Sequence, residues 1–248
     1  MGKKIKLILA LLLFITGFFI FIYPRVTDML YKHDVDSKIK EFDKVINNNN
    51  IDNKKNVSNN SNNNKNSNNT YVDIDGLYKL LDTRNKELYQ TRQAKFTRQK
   101  SYEYDDINLA DYGLKSGIIG FISIPSINIT LPIYLGANTT NMRLGAVHLT
   151  GSSYPIGGNN TNSVIAAHRG FYKTGMFRHI DRIKIGDKLY IKNFKETLTY
   201  KATKIEIIDS NRISSLVIQD NKDMITIISC HPYPFNYQRY VVYFEREN

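Results

Sequence analysis

The chain reads as an all-β domain, a barrel or a sandwich, preceded by helical segments and an apolar N-terminal span. Three observations carry this. Short Ile/Val/Tyr-rich runs recur from Ile118 onward, separated by Gly, Pro, Asn and Asp clusters. Leu7 to Tyr23 is uncharged and almost wholly apolar. Between them, apolar residues recur at helical spacing.

The apolar run is just long enough to cross a bilayer. It exceeds the usual apolar core of a cleaved signal peptide, and no small-x-small triplet follows Tyr23. We therefore read residues 1–25 as a short cytoplasmic tip and an uncleaved anchor. Lys3, Lys4 and Lys6 ahead of the run place the amino terminus in the cytoplasm and the rest outside, in the plasma membrane of the cell.

The next segment, 26–46, carries Val35, Ile39, Phe42 and Ile46 on one stripe, which predicts a juxtamembrane helix that packs against something. Residues 47–70 follow as a low-complexity stretch; 47–69 alone holds 14 asparagines among 23 residues. So few apolar side chains do not offset the entropy of ordering, and the segment reads as a disordered tether. In 71–116 a second helical pattern begins near Asp75, a capping residue, with Leu77, Leu80, Leu81 and Leu88 on one face and basic residues around it. The β domain occupies 117–248, with strands expected at 118–124, 129–135, 163–167, 188–193, 197–208, 224–229 and 239–245.

With 34 Lys+Arg against 23 Asp+Glu, the 248 residues carry a formal charge of +11. An outward-facing domain has no nucleic acid to meet, so the charge points to an anionic membrane or wall surface. One cysteine excludes a disulfide framework, a four-cysteine zinc site and a paired redox motif. Any thiol chemistry rests on Cys230.

Thr226-Ile-Ile-Ser-Cys230 is an apolar strand that Pro232 and Pro234 prevent from continuing inside a sheet, so Cys230 sits at a strand end. Arg239 opens the next run, Tyr240-Val-Val-Tyr-Phe244, and a hairpin would return it beside the thiol. A nucleophilic cysteine needs an imidazole partner. His33 lies before the tether, and His231, adjacent to the cysteine, points to the opposite face of an extended backbone. His168 ends the run Ser163-Val-Ile-Ala-Ala167 and is placed at a strand end as well. His179 is a further candidate, and His148 remains possible as the partner or as a structural or substrate-adjacent residue.

Thr226-Ile-Ile-Ser-Cys230 resembles the sortase signature Thr-Leu-x-Thr-Cys, with Ile227 for Leu and Ser229 for Thr. Ala167-His168-Arg169-Gly170 resembles the segment around the sortase histidine, and Arg239 falls where the family arginine stands. The resemblance runs from Gly117 to Glu247. Gly145-Ala-Val-His148 and Gly151-Ser-Ser-Tyr-Pro-Ile-Gly-Gly158 look most like class C, the pilin-polymerising type. Two departures from that class stand out: there is no Asp-Pro dipeptide for a lid, leaving Tyr102 to Asp106 as a degenerate lid or a surface loop, and the carboxyl end is polar rather than a second hydrophobic span.

The resemblance implies a closed sortase-like β-barrel with short helices. It implies a cysteine transpeptidase that cuts a Leu-Pro-x-Thr-Gly-like sorting signal after Thr and passes the acyl group to an amine, either a pilin lysine or a cell-wall precursor. Cys230, His168 and Arg239 would be catalytic, with Ser229, His148 and Tyr233 beside substrate; no metal or organic cofactor is implied. Two other readings stand beside it: a membrane-anchored β binding module whose thiol is incidental, and a cysteine peptidase that uses water as acceptor.

Overall fold

The computed structural model describes residues 2–56, 72–94, 96–170 and 175–247. Eight strands close into one barrel in the order β1-β2-β3-β4-β7-β8-β6-β5. They are β1 (Ile118–Ile124), β2 (Ile129–Leu135), β3 (Ala146–His148), β4 (Thr161–Ala166), β5 (Lys188–Asn193), β6 (Thr197–Asp209), β7 (Asp223–His231) and β8 (Gln238–Arg246). Seven of these follow the Ile/Val/Tyr runs; the eighth, β3, is three residues long and too short to show a period. Two pairs are parallel, β2 with β3 and β4 with β7, and the remaining pairs are antiparallel.

The barrel interior is filled by Ile122, Ile133, Ile165, Ile191, Leu198, Ile227, Val242 and Phe244, all essentially inaccessible. β4 is buried along its whole length. Of its polar members, Asn162 is matched rather than exposed, accepting a 2.8 Å bond from the Thr226 hydroxyl and donating its amide to the Leu216 carbonyl at 3.0 Å, whereas the Ser163 hydroxyl is buried without a hydrogen-bond partner among the described residues. Buried polar atoms paired in this way fix the register of the parallel β4–β7 pair.

β1 crosses β5 so closely that a Cβ on Gly120 would lie 2.4 Å from the Lys192 carbonyl oxygen. Backbone cannot retreat as a side-chain tip can. Gly120→Ala is expected to destabilise the fold by about 1–3 kcal/mol, read as a lower urea midpoint with an unchanged slope.

Among the described residues three α-helices precede the barrel, α1 (Lys3–Asn56), α2 (Ile74–Gln90) and α3 (Arg98–Ser101), followed by a 3-10 turn at Leu109–Tyr112. The anchor and the juxtamembrane stripe are one continuous helix that runs through Pro24 and on past Ile46 to Asn56, into the first part of the expected tether. The remainder of that tether, 57–70, lies outside the described residues. The apolar side chains from Ile5 to Leu30 are largely exposed, whereas Val35 and Phe42 are buried on the barrel. Phe42 meets Phe121 edge-on at 5.4 Å, and Lys192 reaches Asp43 at 2.7 Å. The stripe therefore covers β1 and its neighbours.

Asp73, not Asp75, caps α2: its carboxylate accepts from the Gly76 amide at 2.9 Å. Leu77 and Leu81 are buried as the spacing predicts. Asn85 adds what the periodicity does not show, a buried side chain that accepts from the Tyr154 amide at 2.7 Å and donates back to its carbonyl. A further short helix, α4 (Thr139–Leu144), links β2 to β3.

Candidate active site

The pairing pattern sends the end of β4, the end of β7 and the start of β8 to the same end of the barrel. Cys230 stands directly opposite Arg239 across β7–β8, so both side chains lie on one face of the pair. On the other side, the Ala167 amide donates to the Ile228 carbonyl, which extends the β4–β7 ladder to the residue before His168. Three adjacent strands thus deliver the three candidate residues to one place. His168, Cys230 and Arg239 line a single cavity of about 630 Å³, together with Ala166, Ala167, Ile228 and Met142.

Ser229 also borders the cavity, but its hydroxyl is committed. It is buried and donates to the Ala167 carbonyl at 2.8 Å, so it ties the cysteine strand to the histidine strand. The His168 carbonyl accepts from the Phe177 amide at 3.0 Å, which holds the backbone on the far side of the histidine. Partial burial pushes the His168 imidazole below its ordinary range, because removing water penalises the imidazolium. The Arg239 guanidinium donates to the Asn236 and Gln238 carbonyls at 2.9 and 2.8 Å, which fixes it to its own hairpin.

His231 does face away from the cavity. Its Nδ1 accepts a 2.7 Å bond from Arg169, a buried guanidinium that also pairs with Asp181 at 2.9 Å and lies 5.8 Å over the Tyr240 ring. Burial, then the charge of Arg169, hold the His231 imidazole low. In the sequence Arg169 is visible only as a neighbour of His168; its part in tying the Asp181 and His231 side chains to the His168 segment is not.

His148, read from sequence as structural or beside substrate, is fully enclosed and does not line the cavity. Its Nε2 lies 3.1 Å from Ser152 Oγ and from the Ser152 and Ser153 carbonyls, and its ring stacks on Tyr154 at 4.9 Å. Burial drives its pKa down, against an opposing pull from Asp105, whose carboxylate is 3.8 Å from Nδ1. Tyr233 is at the exposed tip of the β7–β8 hairpin, 61% accessible, and is likewise absent from the cavity wall.

Besides Met142, two lining residues from ahead of the barrel have no role assigned from the sequence. Gln99 carries no signal there, and Tyr102 figures only as the start of a degenerate lid or a surface loop. Both reach the cavity from the segment ahead of the barrel. That segment is pinned at several points: Asp105 accepts from the Tyr154 hydroxyl at 3.1 Å and from the Ile107 amide at 3.0 Å, the Thr150 hydroxyl donates to the Glu103 carbonyl, and the Thr150 amide to that of Ser101. His148 and Tyr154 therefore form the wall on which the Tyr102–Asp106 loop rests.

A closed barrel with a thiol, an imidazole and a guanidinium converging at one end suits acyl transfer, and the comparison with known proteins agrees. The sortase-domain family profile matches residues 122–247. This chain belongs to the sortase family. It is 29% identical over 185 residues to sortase D of Bacillus subtilis, covering 69% of this chain and 89% of that protein. Among solved structures it resembles sortase C1 of the group B Streptococcus pilus island 1, with TM-score 0.65, 28% identity and coverage of 71% and 89%. It also resembles sortase C from Clostridium perfringens SM101, with TM-score 0.58, 34% identity and coverage of 71% and 90%. Sortases are cysteine transpeptidases that act on sorting signals, and the sortase fold and family place this protein among them. Its structural neighbours are class C sortases.

Proposed function

We propose that the protein is a membrane-anchored transpeptidase in which Cys230 is the nucleophile, His168 the general acid and base, and Arg239 the stabiliser of the oxyanion. The observation that carries this reading is the meeting of these three side chains in one cavity. The Cys230 thiolate attacks the Thr carbonyl carbon of a Leu-Pro-x-Thr-Gly-like signal. The peptide C–N bond breaks, His168 gives its proton to the departing amine, and a thioester is left on Sγ. An incoming amine, from a pilin lysine or a cell-wall precursor, then attacks the thioester and yields its proton to His168 as the thiolate leaves. Arg239 suits the oxyanion because its charge is permanent and its donors are planar.

Residues 1–25 serve as the anchor in this reading. A mean hydropathy of 2.8 in the best window of α1 supports it, as do the exposed apolar side chains from Ile5 to Leu30. The three lysines ahead of the span put the amino terminus inside and the barrel outside. Of the 47–70 tether, the part beyond Asn56 connects the helix to the 71–116 extension, and 117–248 form the catalytic domain. The likeness to class C structures favours pilus assembly as the task, with wall attachment of surface proteins as the other use of the same chemistry.

The test is mass spectrometry of the protein incubated with a Leu-Pro-x-Thr-Gly peptide library, with and without an added amine. A thioester adduct and an amine-capped product are expected. Cleavage that ignores every amine offered would make the protein a peptidase, and a folded protein with an alkylatable thiol and no adduct would leave a binding module. Arg239→Lys keeps the charge but removes the fork; it should lower kcat by about 10²-fold with the fold intact by circular dichroism.

A further inference from the structure

The β7–β8 hairpin ends in Tyr233-Pro-Phe-Asn-Tyr237, in which Tyr233, Phe235 and Tyr237 are 61%, 76% and 64% accessible. The tip is shaped by the Asn236 amide, which donates to the Pro232 carbonyl at 2.9 Å, so the three rings are held outward rather than folded back. Three large exposed rings within five residues form a patch that a solvated loop has no reason to carry.

The helix α1 tells where this tip points. Its residues Asp28, Tyr31 and Lys32 adjoin the start of β2, at 127–131, whereas Lys38 to Val45 adjoin Tyr134 and the 113–118 segment. α1 therefore runs alongside β2 in the same direction, and its apolar portion departs from the end of the barrel where β2 begins. Strand pairing puts the starts of β2 and β8 and the ends of β4 and β7 at that same end. The cavity, the aromatic tip and the departing helix share one side of the molecule.

The same end is cationic. Arg178, Arg182 and Lys184 are exposed, Ile185 beside them is 59% accessible, the nearby Asp181 is taken up by Arg169, and the Asp187 carboxylate accepts from the Lys184 amide, leaving three cations against one further carboxylate in this loop. Arg178 and His179 adjoin Asp28 and Lys32 of α1. At 1.5 Å per residue, Asp28 lies only about 5 Å beyond Arg25, so this loop is within a screening length of about 10 Å from the headgroups.

We propose that this rim is a membrane-docking surface: Tyr233, Phe235 and Tyr237 enter the interfacial layer, and Arg178, Arg182 and Lys184 bind anionic phospholipid headgroups. Aromatic rings favour that layer, and each cation near an anionic leaflet adds to the attraction. The inference rests on reading α1 as a membrane span. Its consequence is that the cavity opens toward the lipid surface, at a height set by two contacts instead of one.

The chain has no tryptophan, so a single introduced indole reports cleanly. Full-length Phe235→Trp, Glu196→Trp and Leu12→Trp would be reconstituted in vesicles of phosphatidylglycerol and brominated phosphatidylcholine. Position 196 lies in the β5–β6 turn, at the opposite end of the barrel. Docking predicts that the Phe235→Trp variant shows blue-shifted emission and loses most of it to bromine, while the Glu196→Trp variant stays unquenched. Quenching at position 235 should be relieved when phosphatidylglycerol is replaced, or when Arg178, Arg182 and Lys184 are changed to Gln. Quenched Leu12→Trp with unquenched, water-exposed Phe235→Trp would overturn the proposal while leaving the span in place. Unquenched Leu12→Trp would overturn the span reading, and docking with it. Phe235→Trp emission that instead responds to sorting peptide in detergent, and not to lipid, would assign the tip to substrate and reject docking.

Discussion

Cys230→Ala should abolish the thioester adduct and bring acyl transfer down to background, a loss of at least about 10⁴-fold if the thiol is the nucleophile. The change removes one sulfur atom from a half-buried position and leaves the Ser229–Ala167 bond and the Arg239 hairpin in place. The folded state should therefore persist, with an unchanged circular dichroism spectrum and unfolding midpoint. Intact-protein mass spectrometry with peptide reads the adduct; chromatography with an added amine reads the product. Retained product in the alanine variant would remove Cys230 from the mechanism outright.

His168→Ala is the second large effect. Loss of a positioned acid and base is expected to reduce kcat/KM by about 10²- to 10⁴-fold. The pH profile separates this from mere loss of packing. Burial is the cause of the shift at His168, and it disfavours the imidazolium, so its folded pKa lies below the ordinary value of about 6.5. As pH rises through that lowered pKa the imidazolium is lost; as pH falls through it the neutral base is lost. The wild-type profile should carry a limb with its midpoint below 6.5, and the alanine variant should lack that limb while keeping the rest of the curve. A limb that disappears in the alanine variant but is centred above about 6.5 would mean that His168 is not held in the partly dry site described above.

Why some of this architecture is legible in the sequence and some is not follows from the range of the interactions. β1, β2 and β5 begin and end where the Ile/Val/Tyr runs do, because side-chain alternation and Gly or Asn breaks are local. β3 escapes because three residues carry no period; it exists only through its partners in β2 and β4. The cap of α2 falls on Asp73 instead of Asp75 because either aspartate satisfies the local pattern and only the geometry chooses. At the site, Cys230, His168 and Arg239 announce themselves by strand ends and motif. Gln99 and Met142 do not, since they reach the cavity from elements whose placement depends on packing. His148 shows the converse: a histidine in a family-like motif, enclosed by Ser152, Ser153 and Tyr154. Burial is a property of the finished fold.

The parallel pairing of β4 with β7 has a consequence in time. Thr161 lies against Asp223 and Ala166 against Ile228, so the pair joins strands far apart in the chain, and no local turn can bring them together. Contacts of that range form late, after the loop-closure entropy of the intervening chain has been met. His168 and Cys230 sit at the end of this pair. An unfinished chain, or one still threading out of a translocation channel, therefore carries a thiol with no imidazole beside it. The long-range pairing of β4 with β7 is also the event that brings the imidazole to the thiol, so a nascent molecule lacks the assembled reactive group until that pair has formed.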